Sequence, residues 1–145
     1  MRFMIIRRAD KNTEAGVAPD TKLLDAMGRY MEEMHKAGVL LGGEGLQPTS
    51  KGALVKFSAG KPRVTDGPFA ESKELIAGYS MIQVKSREEA LEWVKRWPAV
   101  GTESEVELEL RQIFENEDFG EEFTPEARAR EDKLRAELAA AASAK

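Results

Sequence analysis

Met1-Arg2-Phe3-Met4-Ile5-Ile6-Arg7-Arg8 opens the chain with four consecutive apolar residues, so both alternating faces of a strand there are apolar and the strand is expected to be buried on both sides. Asp10 to Pro19 is polar and carries Gly16 and Pro19, which reads as a loop. Leu23, Leu24, Met27, Tyr30, Met31 and Met34 then recur at helical spacing from about Asp20 to Ala37. Asp20 can cap that helix, and Gly38 can end it in the left-handed conformation. Gly28 in its interior costs about 1 kcal/mol relative to Ala, so close packing against it is expected. A second strand follows at Val39 to Leu46, broken by glycines and closed by Pro48. Ala53 to Phe57 and Arg63 to Asp66, joined around Ser58-Ala59-Gly60-Lys61, have the form of a β-hairpin. Asp66-Gly67-Pro68-Phe69 must turn, since Pro lacks a ladder donor and Gly admits positive φ.

A helical turn from Ala70 to Leu75 is expected, then a strand over Tyr79 to Val84. Ser86 and Glu89 form a capping box for a helix running to Trp97, with Ala90, Leu91, Val94 and Trp97 facing inward and Pro98 ending it. Val106, Leu108 and Leu110 alternate with Glu105, Glu107, Glu109 and Arg111 in the clearest strand of the chain. With the hairpin set aside, the order is strand, helix, strand, strand, helix, strand. This predicts an α+β, ferredoxin-like βαββαβ sheet with an inserted hairpin and both helices on one face. The first strand is apolar on its other face too, and no spare element remains to cover it. A second copy of the sheet would do so, giving a dimeric α+β barrel. Residues 1–119 read as this domain and 120–145 as a helical tail starting at Thr124-Pro125, with a thin stripe of Ala127, Leu134, Leu138 and Ala141.

Charge is unevenly placed. Met1 to Phe114 holds 17 basic and 17 acidic residues, whereas Glu115 to Lys145 holds 5 and 9 and supplies the whole net charge of −4. Neither part shows the basic surplus that DNA or an anionic membrane requires, so no nucleic-acid or membrane partner is expected. Absence of Cys excludes disulfides and thiolate metal sites and suits a reducing, cytoplasmic setting. A single His, His35, excludes a multi-histidine centre, and no metal or cofactor is expected. No apolar run is long enough to span a bilayer, and the N-terminal one is too short for a secretory signal.

The stretch Val64-Thr65-Asp66-Gly67-Pro68-Phe69-Ala70-Glu71-Ser72-Lys73-Glu74 resembles the YCII-related family, in particular the larger branch marked by a D-G-P-F motif. The resemblance extends to the first strand, to Ala37 through Leu46, to Gly78-Tyr79 and from Glu105 to Phe119. It implies a dimeric ferredoxin-like α+β barrel, a fold shared with small isomerases and monooxygenases. It also implies a regulatory context, because some members accompany extracytoplasmic-function sigma factors. Small relatives carry a His–Asp pair whose His lies earlier on the first long helix. Here that region holds Met27, and His35 does not match it.

Two carboxylates are the candidate catalytic groups. Asp66 is a general base or ligand anchor on one reading and an Asx-turn former on the other. Glu44, within Gly42-Gly43-Glu44-Gly45, is an acid/base partner where a ligand meets bare backbone, or one residue of a bulged strand. That run lacks the Lys-Ser/Thr ending of a phosphate loop. Gly67, Pro68 and Phe69 are candidate ligand contacts beside Asp66. Arg111 shares a strand face with Glu107 and Glu109 and can clamp a carboxylate ligand if that face lines a cleft. His35 in its cationic form suits a helix C-terminus, or is a plain surface residue. The functional expectation is a homodimer with a small-molecule cleft near Asp66 and Glu44 and proton-transfer or isomerase-like chemistry. The alternative is a non-enzymatic ligand-sensing or protein-binding module in the sigma-factor context.

Overall fold

Residues 1–70 and 74–144 are described by the computed structural model, so half of the expected turn from Ala70 to Leu75, residues 71–73, lies outside the described residues. They form two units, Met1–Ile113 and Phe114–Lys145.

The first unit is built on strands β1 (Arg2–Arg8), β2 (Leu40–Gly45), β5 (Ile76–Gln83) and β6 (Leu108–Gln112), in the antiparallel order β2-β5-β1-β6. A separate two-stranded hairpin is made by β3 (Ala53–Ser58) and β4 (Lys61–Asp66). Helices α1 (Lys11–Glu14), α2 (Thr21–Lys36) and α3 (Arg87–Lys95) connect the strands. Apart from α1 and the hairpin, this is the expected βαββαβ arrangement.

On β1 the period of two separates Phe3, Ile5 and Arg7, which are buried, from Met4 and Ile6, which are half-buried. Phe3 and Ile5 pack with Ile82 and Val84 against Tyr30 and Met34 of α2 and Ala90 of α3. The other face pairs Met4 with Met81 and Ile6 with Tyr79, all partly exposed. Glu109 and Arg111 of β6 lie on that same face, in register with Ile6 and Met4. A single chain thus buries one face of the strand, and the second apolar face stays open.

The ends of α2 follow their local chemistry. Asp20 Oδ1 accepts from the Leu23 N–H at 2.8 Å. At the other end Gly38 takes φ of +72°, so its N–H reaches the His35 carbonyl and the Val39 N–H reaches that of Met34. Gly28 departs from expectation: a Cβ there would meet nothing within 4 Å, and the residue is exposed. In α3 the Ser86 hydroxyl accepts from Glu89 N–H at 3.1 Å, while the Glu89 carboxylate reaches back to Lys85 N–H instead of to Ser86. The expected loop at Asp10 contains one helical turn, α1. Asp10 Oδ1 accepts from Thr13 N–H and Thr13 Oγ1 accepts from Asp10 N–H, a reciprocal box that closes the turn without apolar periodicity.

The hairpin register pairs Val55 with Val64 and Phe57 with Pro62 across a two-residue loop in which Ala59 and Gly60 both have positive φ. Every residue of both strands is exposed. The second unit holds a 3₁₀ stretch (Asn116–Glu122) and α4 (Pro125–Ser143). Thr124 Oγ1 caps α4 at the Ala127 N–H, and Phe114 stacks on Phe119, which meets Phe123 at a tilt. Leu134 and Leu138 of α4 are exposed, and the helix buries no residue.

Candidate functional site

A cavity of about 650 Å³ lies in the first unit among α1, the loop to α2, α2 itself and the strand pair β2–β5. Its walls are made by the glycine-rich strand. Gly43, Gly45 and Gly78 line the space without filling it, and a Cβ on Gly43 would stand 2.7 Å from the Tyr79 carbonyl oxygen. β2 is also bulged, with its register shifting between Leu40 and Gly42. The bulge and the ligand-sized space therefore coexist at Gly42-Gly43-Glu44-Gly45.

Arg7 stands at one side of this cavity, placed there by the alternation that buries Phe3 and Ile5 on the same face. Its side chain is 5% exposed. Its Nε donates to Glu103 Oε1 at 2.9 Å, and one Nη donates to Asp10 Oδ2 at 3.2 Å. The other Nη donates to the Arg8 carbonyl. A buried guanidinium needs such partners, since an unpaired charge there carries a desolvation penalty of several kcal/mol. Burial pushes the Asp10 carboxyl up, but the Thr13 N–H and the Arg7 guanidinium outweigh it and hold the group below its ordinary value. Asp10 is therefore an ionised anchor. Glu103 reaches Arg7 from a 3₁₀ turn, Gly101–Glu103, and its second carboxylate oxygen is buried without a hydrogen-bond partner among the described residues.

Ser80, 3% exposed, also lines the cavity. The Trp97 indole N–H, like the second oxygen of Glu103, is buried without a hydrogen-bond partner among the described residues. Glu44 lies at the exposed rim, paired in register with Tyr79. Apolar lining comes from Val17, Leu23, Leu24, Met27, Met31 and Leu46. Met27 thus stands in the wall, on the helix where the small relatives place their His.

The other sequence candidates lie elsewhere. Asp66 ends β4, is exposed and makes no side-chain hydrogen bond among the described residues, so the local Asx bond is not formed. Gly67 has no positive φ; it is needed because a Cβ there would stand 1.7 Å from the Thr49 carbonyl oxygen. Gly67 N–H donates to the Gly52 carbonyl and Phe69 N–H to Thr49 Oγ1 at 3.1 Å. The Thr49 hydroxyl in turn donates to Glu14 Oε2 at 2.5 Å, which ties the D-G-P-F backbone to α1. The Gly67–Pro68 peptide bond is cis, and Pro68 is exposed. Arg111 is exposed on the open sheet face, 3.7 Å from Glu109. His35 is exposed near the end of α2. Among the described residues no group of three or more His, Cys, Asp or Glu could hold a metal ion.

Comparison with known proteins adds the family. The model of the YCII-related domain matches residues 1–115, the whole first unit and the two residues after it. The chain belongs to the YCII-related family. A curated relative of this YCII-related chain is an uncharacterised protein of Rhizobium meliloti, 34% identical over 76 residues. That match covers 52% of this chain and 61% of the relative's length. A solved structure of a 5-chloro-2-hydroxyhydroquinone dehydrochlorinase from Burkholderia phenoliruptrix, complexed with 2,5-dihydroxybenzoquinone, is 13% identical. It aligns over 81% of this chain and 98% of that one, with a TM-score of 0.44. The YCII-related domain of this chain is the α+β unit on the antiparallel sheet described above. Among the described residues no helix is long and apolar enough to cross a membrane.

Arg7, Asp10, Ser80 and Glu103 were not singled out from the sequence as site residues. One signal for Arg7 was present: it continues the Phe3–Ile5 face, where a charged side chain must find partners. Two apolar faces on one strand concealed which of them the helices cover.

Proposed function

We propose that this YCII-related domain binds a small molecule in the cavity beside Arg7 and acts on it by proton transfer, working as a homodimer joined through the open sheet face. The observation that carries this reading is the buried Arg7, held by Asp10 and Glu103, at the side of a largely apolar space of about 650 Å³. Glu44, exposed at the rim where β2 is the edge strand of the sheet, is the proton-transfer group. Asp10 and Glu103 orient Arg7. Asp66 lies outside the cavity lining and is not used in this chemistry. The dimer follows from Met4, Ile6, Tyr79 and Met81, an apolar patch that two copies would cover together, with Glu109 and Arg111 between the sheets.

A metabolite library screened by thermal shift on the full chain should contain at least one compound that raises the melting temperature. A ligand at about 100 times its Kd contributes about 2.7 kcal/mol. Incubating the hit in deuterated water should place deuterium on it when Glu44 is intact and not in Glu44→Gln, whereas Asp66→Asn should behave as wild type. No stabilising compound, or exchange lost in Asp66→Asn and kept in Glu44→Gln, would overturn the assignment. Light scattering should give about twice the 16.1 kDa subunit mass.

One observation favours a second reading, a protein-binding module in the sigma-factor context that the resemblance implies. The hairpin exposes Val55, Phe57 and Val64, at 53%, 68% and 64%. A Phe57→Ser variant that loses a transcription partner and keeps every ligand response would support it.

A further inference from the structure

The D-G-P-F turn lies outside the cavity lining, yet an unbroken run of hydrogen bonds leads from it to Arg7. It begins at Phe69, whose N–H donates to Thr49 Oγ1 at 3.1 Å. The Thr49 hydroxyl donates to Glu14 Oε2 at 2.5 Å, and the Thr49 N–H donates to Oε1 of the same carboxylate at 3.2 Å. Two bonds from one residue to one carboxylate fix orientation as well as distance. Glu14 closes α1, its N–H donating to the Asp10 carbonyl at 3.0 Å. Asp10 and Thr13 exchange the two bonds of their box at 2.8 and 2.9 Å, and Asp10 Oδ2 accepts from Arg7 at 3.2 Å. Helix α1 buries no residue, and a single turn has too few internal bonds to hold itself, so the bonds at its ends decide where it stands. Thr49 is pressed from its other side by Gly67, where a Cβ would stand 1.7 Å from the Thr49 carbonyl oxygen. Gln47 and Pro48, the two residues before Thr49, line the cavity, as do Asp10 and Thr13.

We propose that Thr49 and Glu14 are positioning residues of the cavity, through which the D-G-P-F turn sets the place of Asp10 and hence of Arg7. The motif then acts by its backbone: Gly67 lets the turn close on Thr49, and Phe69 contributes its N–H. This deepens the cavity reading above and rests on it for its functional meaning. Coupling of this kind needs a contiguous set of packed and hydrogen-bonded groups, and each link here joins directly to the next.

Thr49→Val keeps the branched shape and removes the hydroxyl from the middle of the run, whereas Thr49→Ser keeps the hydroxyl. Glu14→Ala breaks both bonds from Thr49 at once. Hydrogen exchange followed by NMR on the full chain reads three protons. They are the Arg7 Nε–H, the Thr13 N–H and, as a reference in the sheet, the Gln83 N–H, which donates to the Val39 carbonyl at 2.8 Å. In Thr49→Val the first two should exchange on the order of 10-fold faster, the equivalent of about one net hydrogen bond, with Gln83 unchanged. Glu14→Ala should match or exceed that effect, and Thr49→Ser should restore the wild-type rates. Unchanged Arg7 and Thr13 rates in either Thr49→Val or Glu14→Ala overturn the proposal. So does equal acceleration of all three protons, which is a general loosening of the fold, or failure of Thr49→Ser to restore the rates. No ligand enters this measurement, so its failure leaves the cavity reading standing, and failure of that reading is seen separately in the thermal-shift screen.

Discussion

Replacing Arg7 by Met is the perturbation that bears hardest on the site. Met keeps most of the side-chain length and the apolar stem, and removes only the guanidinium. Two carboxylates lose a partner. Glu103 is the costlier of them, at 16% exposure and 2.9 Å from Arg7 Nε, with a second oxygen already unpaired. Breaking a buried ion pair by removing one member costs about 3–5 kcal/mol. Asp10 is 38% exposed, so water screens its share, which adds about 0.5 kcal/mol. The expected loss at pH 7 is therefore about 4 kcal/mol, a large part of the 5–15 kcal/mol that holds a typical domain together. The loss should depend on pH, with a definite sign. In the wild type the Asp10 carboxyl lies below its ordinary value of 3.8, so its contribution is present above that value and is lost as pH falls through the folded one. Without Arg7 the burial that raises this group meets less opposition. The carboxyl then takes up a proton at higher pH, which relieves the variant. The gap between the two proteins should accordingly be widest at pH 7 and narrow toward pH 4. Urea unfolding at several pH values measures it. Combining Arg7→Met with Glu103→Leu should recover most of the loss, because the double variant buries no orphaned charge at that pair. A loss under about 1 kcal/mol at pH 7, or one that grows on acidification, would refute the claim that Arg7 is held in place by these carboxylates.

Gly28→Ala should stabilise the chain by about 1 kcal/mol in urea unfolding, because the position is helical, exposed and open around the missing Cβ; destabilisation would mean that something packs there. Gly67→Ala should destabilise by about 2 kcal/mol or more, since the new Cβ must displace the Thr49 carbonyl and the hydrogen bonds beside it; a melt unchanged from wild type would remove the close-approach argument. Burial pushes Tyr30 up to about 12 against the opposing Arg96 charge, and its hydroxyl donates to the Trp93 carbonyl at 2.8 Å. Absorbance titration should find one tyrosine that ionises only near that pH, with stability intact below pH 10 and falling as pH rises toward 12; ionisation of Tyr30 near pH 10 would contradict its burial.

Local chemistry was legible wherever a short stretch decides its own conformation. Asp20 and Gly38 bound α2, Ser86 begins α3 and Thr124-Pro125 begins α4 through bonds that span three to five residues. Strand periodicity, together with the order of elements, was enough to name the βαββαβ sheet, because each segment carries one period. The one-turn helix α1 escaped because four residues hold no periodicity, although Asp10 and Thr13 spelled its box. What lay beyond the sequence was the relation between distant segments. Met4 and Ile6 are as apolar as Phe3 and Ile5, so only the docking of α2 and α3 decides which face is buried, and with it that Arg7 points inward. Glu103 lies 96 residues from Arg7 along the chain, and no spacing rule links a residue of a 3₁₀ turn to one in the first strand. Gly67 could be recognised as constrained, but its reason was misread: turn chemistry suggested positive φ, and the tertiary structure instead brings the Thr49 carbonyl against it. Backbone conformation depends on neighbours in sequence, whereas a cavity and its charge balance depend on which surfaces the packed elements bring together.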